Sequence, residues 1–176
     1  MYAVIDVETG GFSKEKNGLC EVAILILDKE KNIINEFSSK IKPYLRPDSD
    51  DLVSYKESAM SIHGITMDEL NNAPDTIEVS EKIEFTFNSN GVTTIIAHNA
   101  KYMDKAWIEY FLERFGKGFK FEDYICTLDL ARGLKLDVEN NKLSTLCKHF
   151  GIINKSEHRA LEDCYATYKL LLELEK

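Results

Sequence analysis

The chain has 176 residues, 44% of them hydrophobic, which suits one domain able to bury a core and excludes a disordered chain. Its net charge of −8 excludes tight binding of long duplex nucleic acid, which needs many Lys and Arg contacts to phosphates. An acidic chain can still grip a nucleic-acid end when bound metal ions supply the positive charge. No apolar run is long enough to span a bilayer and no signal peptide is visible, so a cytoplasmic protein with no membrane partner is expected. The cysteines Cys20, Cys126, Cys147 and Cys164 form no C-x-x-C pair and read as reduced, buried thiols rather than a zinc site.

In chain order, "YAVIDVE" is rich in apolar and β-branched residues and predicts a first strand. "CEVAILILD" is a nearly continuous apolar run suited to a central strand, and "NIINEFSSKIKP" alternates as a third. The turn-rich links "TGGFSKEKNGL" and "DKEKN" make these three an antiparallel meander. "ESAMSIHGITMDEL", broken by Gly64, predicts short helices and loop. "TIEVSEKIEFTFNSNG" fits a helix through Val79, Ile83 and Phe87, and a strand through Ile83, Phe85 and Phe87. The helix is preferred, because "VTTIIA" follows as a parallel strand and needs a crossover. "KYMDKAWIEYFLERFG" predicts a helix ending at Gly116, with Ile108, Phe111, Leu112 and Phe115 as its stripe. "YICTLDLA" is a fifth strand or a strand-to-helix junction. "LSTLCKHFGI" predicts a helix with Leu143, Leu146, Cys147 and Phe150 on one face, stopped at Gly151. "SEHRALEDCYATYKLLLELE" predicts a last helix with Ala160, Cys164, Thr167, Leu171 and Leu174 facing the sheet. The sum is an α/β fold in one domain, residues 1–176, with the meander first and helical crossovers after.

Side chains alternate across a strand, so Asp6 and Glu8 share one face. Burying either ion unpaired costs several kcal/mol, leaving solvent, a basic partner or a metal ion as the ways out. Alone, D-x-E after an apolar run is a weak signal, because the strand could end at Asp6 with Glu8 in a loop. Other acids strengthen it. Asp104 falls in the first turn of its helix, four residues before Ile108 and seven before Phe111, so it points toward the core-facing stripe. Asp163 sits at the border of the buried stripe of the last helix, whose small residues Ala160, Cys164, Ala166 and Thr167 allow close approach to the sheet. These acids from separated segments converge at the edge of the first strand. Oxygen-only ligands of that kind suit Mg²⁺ or Mn²⁺, and a pair of such ions is a standard device for phosphoryl displacement. His158 is the candidate proton acceptor. It lies five residues before Asp163, so it must reach the site from the loop or first turn. Its bland alternative is an exposed surface histidine.

The stretches "VIDVETGG", "IIAHNAKYMDKAWIEYFL" and "EHRALEDCYATYKLL", with "IHGIT…L…AP" between the first two, resemble the DnaQ-like exonucleases of DEDDh type. That family includes polymerase proofreading subunits and RNase T, and the likeness covers essentially the whole chain. It implies a ribonuclease-H-like fold: a mixed five-stranded sheet with helices packed on both faces. It also implies metal-dependent 3′→5′ hydrolysis that releases nucleoside 5′-monophosphates. Asp6, Glu8, Asp104 and Asp163 become the ligands of two divalent ions, Mg²⁺ or Mn²⁺, and His158 the general base. Many family members carry the second acid one position earlier, where this chain has Met103. A thioether cannot replace a carboxylate on Mg²⁺, so the departure reads as a one-residue insertion that leaves Asp104 as the ligand.

The resemblance further implies that backbone around Thr9 and Gly10 meets the terminal 3′-hydroxyl, with Gly10 and Gly11 permitting close approach. Phe12 is either a wedge against the terminal base or a core aromatic under the hairpin. His63 is either near the nucleotide pocket or a satisfied loop histidine, and Asn99 either orients its loop or touches substrate. Lys101, Lys105 and Arg132 are candidate phosphate contacts or solubilising charges. The expected partners are single-stranded DNA or RNA 3′ ends, with the choice of sugar open. Homodimerisation is open too. Two alternatives remain: an inactive module that holds a nucleic-acid end, and a proofreading subunit recruited by a polymerase. The absence of a tail outside the domain weighs against the latter.

Overall fold

The computed structural model describes residues 1–176. The chain opens with β1 (Tyr2–Thr9), β2 (Leu19–Leu27) and β3 (Ile33–Lys40), followed by α1 (Glu57–His63), α2 (Met67–Asn71) and α3 (Thr76–Ser89). Then come β4 (Thr94–Ala97), α4 (Asp104–Phe115), β5 (Asp123–Cys126), α5 (Thr127–Leu134), α6 (Leu143–His149) and α7 (Ala160–Leu174). The strands form one mixed sheet in the order β3-β2-β1-β4-β5, antiparallel at β3-β2-β1 and parallel at β1-β4-β5. The antiparallel part is the expected meander, and the parallel part requires the helical crossovers. No helix is long and apolar enough to cross a membrane.

Both faces of the sheet are covered, which is why every residue of β2 is buried. Ala3, Ile5 and Val7 of β1 pack with Val22, Ile24 and Ile26 of β2 against Val79, Ile83 and Phe87 of α3 and Trp107, Ile108 and Phe111 of α4. Val4, Ala23, Leu25 and Leu27 face Ala160, Cys164 and Leu171 of α7. Small residues let α7 lie close: the Cys164 thiol reaches the carbonyl of Ala23 at 3.3 Å. The α7 stripe is buried throughout, as its spacing predicts.

The ambiguous segment is helix α3. Val79, Ile83 and Phe87 are fully buried while Phe85 is 74% exposed, so the period of the buried residues is helical. Asp75 caps it by accepting from the Glu78 N–H at 2.9 Å. The two readings of "YICTLDLA" are both realised, since β5 runs directly into α5. Helices α5 and α6 close the domain over α7 through Ala131, Leu146, Leu170 and Leu174. All the cysteines are free and buried.

Candidate active site

The site lies at the carboxyl end of β1, where that strand outruns β4. The β1-β4 ladder stops at Val4↔Ile96, while β1 continues to Thr9. Asp6 and Glu8 continue the face that Val4 begins, beside the start of α7. Beyond the ladder, the Val7 N–H donates to Asp104 Oδ1 at 3.2 Å. That hydrogen bond seats the first residue of α4 beside the acids of β1, although α4 packs mainly on the opposite face. Met103 is the residue preceding the helix and packs against the main core. The structure therefore places Asp104, not Met103, among the acids.

Asp163 enters from the first turn of α7. Its Oδ2 accepts from the His158 N–H at 2.9 Å, and its Oδ1 accepts from the Asn154 side chain. His158 precedes the helix, exposed and with φ of 61°, in the left-handed region. This is the loop position that the spacing to Asp163 requires. Single ligand atoms from Glu8, His158 and Asp163 all lie within 4.8 Å of one another.

The electrostatics of this cluster are one-sided. No lysine, arginine or histidine forms an ion pair with Asp6, Glu8, Asp104 or Asp163. Burial, then repulsion from Asp104, Asp163, Glu8 and Glu21, pushes the Asp6 carboxyl well above the usual range. Burial, followed by Asp163, Glu21 and Asp104, raises Glu8 to about 8, with Arg159 opposing. Burial lifts Asp104 to about 7 against the pull of the Val7 hydrogen bond. Asp163 is also raised by burial, with the Asn154 and His158 hydrogen bonds opposing. Converging carboxylates without a protein cation fit hard divalent cations, which would hold all of them ionised. The residues present therefore suit such ions.

These groups open into a groove of about 900 Å³. It is lined by Asp6, Val7, Glu8, Asp104 and Asp163, by His98, Asn99 and Met103 near the end of β4, and by Arg132 and Asn140 to Ser144. His98 is braced at both ring nitrogens, Nδ1 with Thr127 Oγ1 and Nε2 with the Asn141 carbonyl, each at 2.9 Å. It ties the end of β4 to the segment that leads into α6, and burial holds its pKa below the usual value.

The other predicted residues are distributed unevenly. Asn99 lines the groove with φ of 79°, and its carbonyl accepts from the Tyr102 and Met103 N–H groups at 3.3 Å. It thus shapes the loop that delivers Asp104, a conformation Asn tolerates better than most residues. Phe12 is 87% exposed, which removes the core-aromatic alternative. Thr9 Oγ1 donates to the Gly11 carbonyl at 2.8 Å. Gly10 bonds inside the protein, its N–H to Gly18 and its carbonyl from Lys56, both at 2.8 Å. The close approach that Gly10 permits is to Tyr55 and Ser54, whose atoms a Cβ would meet at 2.7 and 2.9 Å. Gly11 is crowded by Asn17, which also accepts from the Ser13 N–H and donates to Ser54. His63 is buried, and its Nδ1 accepts from the Ile65 N–H at 3.1 Å. It does not line the groove, whereas its neighbour Ile62 does. Arg132 is a groove residue paired with Asp129 at 3.5 Å, whereas Lys101 and Lys105 line a separate hollow with Lys14 and Lys120, and Lys105 pairs with Glu109.

Residues 3–171 match the exonuclease family of RNase T type. The chain belongs to that family. Its ribonuclease-H-like sheet agrees with the exonuclease family's solved folds. Escherichia coli Exonuclease I in complex with a dT13 oligonucleotide superposes with a TM-score of 0.83 at 20% identity, covering 99% of this chain and 41% of that one. The zinc-ion-bound E. coli Exonuclease I–ssDNA complex gives 0.80 at 20% identity, covering 97% and 39%. In sequence, the chain is 33% identical over 171 residues to DNA polymerase III PolC-type of Clostridium perfringens (strain 13 / Type A), covering 97% of this chain. It spans only 11% of that polymerase's length.

Three site residues were not singled out from the sequence. Glu21 had a visible signal, a lone acid in an otherwise apolar strand. Asn154 and His98 act through contacts that no local pattern encodes.

Proposed function

We propose that the chain, as one domain over residues 1–176, is a 3′→5′ exonuclease. It removes nucleoside 5′-monophosphates from single-stranded 3′ ends, using two divalent ions, Mg²⁺ or Mn²⁺. The observation that carries this reading is the group of four carboxylates without a cationic partner beside an exposed histidine. Asp6, Glu8, Asp104 and Asp163 would hold the ions. When bound, these supply an activated water and charge stabilisation for the leaving oxygen.

The chain's own residues do the rest. The Val7 N–H fixes Asp104, and Asn154 with the His158 N–H fixes Asp163, so both carboxylates are oriented before substrate arrives. His158 accepts the proton of the attacking water at its imidazole nitrogen, from a loop position above Glu8 and Asp163. Arg132, in the groove lining, draws the phosphate backbone toward the acids. Phe12 offers a free ring on which the terminal base stacks. The sequence likeness to PolC-type polymerases supports DNA as the substrate, and RNA is the arm to compare.

The test incubates the chain and Mn²⁺ with matched DNA and RNA oligonucleotides labelled at the 5′ end. Stepwise shortening with release of 5′-mononucleotides is expected. Internal cleavage, or no release at all, would overturn the reading. A second reading, proofreading beside a polymerase, is favoured by the same PolC-type likeness. It predicts faster removal of a mismatched than of a matched terminal nucleotide on a primer–template.

A further inference from the structure

We propose that Glu21 is a positioning residue that holds His158 over the carboxylate cluster, an inference that rests on reading His158 as the proton acceptor. Glu21 stands directly opposite Glu8 in the β1-β2 ladder and is 8% exposed. It differs from the other acids of the site in having a cation. Arg159 Nη2 donates to Glu21 Oε1 at 3.1 Å, and the Ala160 N–H donates to Oε2 at 3.1 Å. Both oxygens are thus turned toward the two residues that follow His158, and Glu21 is not among the residues lining the groove.

The start of α7 needs such a partner. Arg159 is its N-cap residue and makes no side-chain cap, so the Ala160 N–H is one of the helix's orphan donors. Glu21 satisfies it from the neighbouring strand. On the other side, Asp163 accepts from the His158 N–H. The histidine is therefore clamped at its own amide and at the next two residues. Its φ of 61° is one that non-glycine residues hold only when the surroundings impose it. Without Glu21, residues 158–160 are free to relax to ordinary backbone angles, and the imidazole leaves its place beside Glu8 and Asp163.

The experiment is a mutant cycle with His158. Steady-state kcat and KM on single-stranded DNA with Mn²⁺ are measured for the natural chain, Glu21→Gln, His158→Ala and the double variant. Mn²⁺ calorimetry and thermal melts accompany them. Glu21→Gln keeps an acceptor for the Ala160 N–H and loses the ionic bond to Arg159. At saturating Mn²⁺ the expected loss is about 10-fold in kcat, within the range for partners that orient site residues, with KM unchanged; the charge lost opposite Glu8 should shift Mn²⁺ affinity equally with and without His158. In the His158→Ala background the same change should cost nothing further in kcat at saturating Mn²⁺, because the positioning effect of Glu21 runs through that side chain. Arg159→Ala, which leaves the buried carboxylate intact, should give a smaller kcat loss that also vanishes without His158. This variant carries the test should Glu21→Gln unfold. Undiminished kcat, an additive double variant, or a loss of activity that saturating Mn²⁺ restores would each overturn the proposal while leaving the general-base reading standing. Natural turnover in His158→Ala alone would overturn both.

Discussion

On one face of β1, Ala3, Ile5 and Val7 are apolar; on the other, Val4 gives way to Asp6 and Glu8. The apolar face belongs to a core of 20 buried residues rich in aromatic rings, whereas the core on the acidic face holds only 8. One backbone thus serves two ends. The first face supplies the stability of the fold. The second gives up apolar burial over its last residues and gathers charges that oppose folding whenever no cation is bound. Residues on the two faces should therefore answer mutation in opposite ways.

The largest expected effects come from crossing that boundary. Asp6→Ala, Glu8→Ala and Asp163→Ala should each reduce nucleotide release to background, yet melt at or above the natural temperature in metal-free buffer. Ile5→Ala, one position from Asp6 on the other face, should cost about 2–5 kcal/mol of stability while leaving Mn²⁺ affinity nearly intact. Thermal melts with calorimetry separate the two patterns. A large loss of stability in all three acid variants would make the acids structural.

His158→Ala comes next, with an expected loss of roughly 10²–10⁴ in turnover and retained binding of Mn²⁺ and oligonucleotide. A parallel fall in metal affinity would make His158 a ligand. Asp104→Asn keeps an acceptor for the Val7 N–H and removes only the charge, so its metal-free melting temperature should be at or above the natural one and its activity crippled. Met103→Leu, a volume-conserving change in a residue packed on the apolar core, should cost less than about 1.5 kcal/mol and leave activity alone. Full activity in Asp104→Asn would break the four-acid reading at its second motif.

The comparison also has a pH signature. Glu8 is raised from 4.5 to about 8 and Asp104 from 3.8 to about 7, so between those limits the folded chain holds more protons than the unfolded one. The stability that these two groups contribute without metal is then fully present below the ordinary carboxylate range and is lost as pH rises toward 8. Each kcal/mol lost lowers the melting temperature by ~2–4 °C in a chain of this size. Added Mn²⁺ should reverse the trend, because its ligands must be ionised, and Glu8→Gln should flatten it. A metal-free melting temperature that rises between pH 5 and 8 would mean the acids are compensated by something else.

Much of this was legible in the sequence because it follows from local period. The meander, the helical period of Val79, Ile83 and Phe87, and the buried stripe of α7 all come from side-chain spacing. The seating of Asp104 also followed from helical register, against the pull of a motif that places the acid at Met103. What stayed hidden depends on contacts across long stretches of chain. Glu21 reaches Ala160, and His98 reaches Asn141, over distances that periodicity does not see. The tie from Asn154 to Asp163 is close in sequence but lies in a loop without a pattern. The role of Gly10 also turned on tertiary structure. A glycine beside a catalytic strand fits substrate approach and side-chain crowding equally well, and here the crowding residue is Tyr55.

The β1-β2 loop is stitched to residues 54–56 by Gly10, Asn17 and Gly18, with the Gly18 N–H donating to the Ser54 carbonyl at 3.2 Å and the Lys56 N–H to Gly10 at 2.8 Å. Phe12 stands on that loop, almost wholly in water. An aromatic ring on a stiff mount has few backbone states to lose when a base settles on it, so the ordering cost on this chain is confined to the side chain. The ring is also too exposed to be held down by neighbours, and keeps its rotamer freedom. If the chain acts as proposed, a fixed backbone with a turning ring would accept purines and pyrimidines in succession, as a strand shortened one nucleotide at a time presents them in any order.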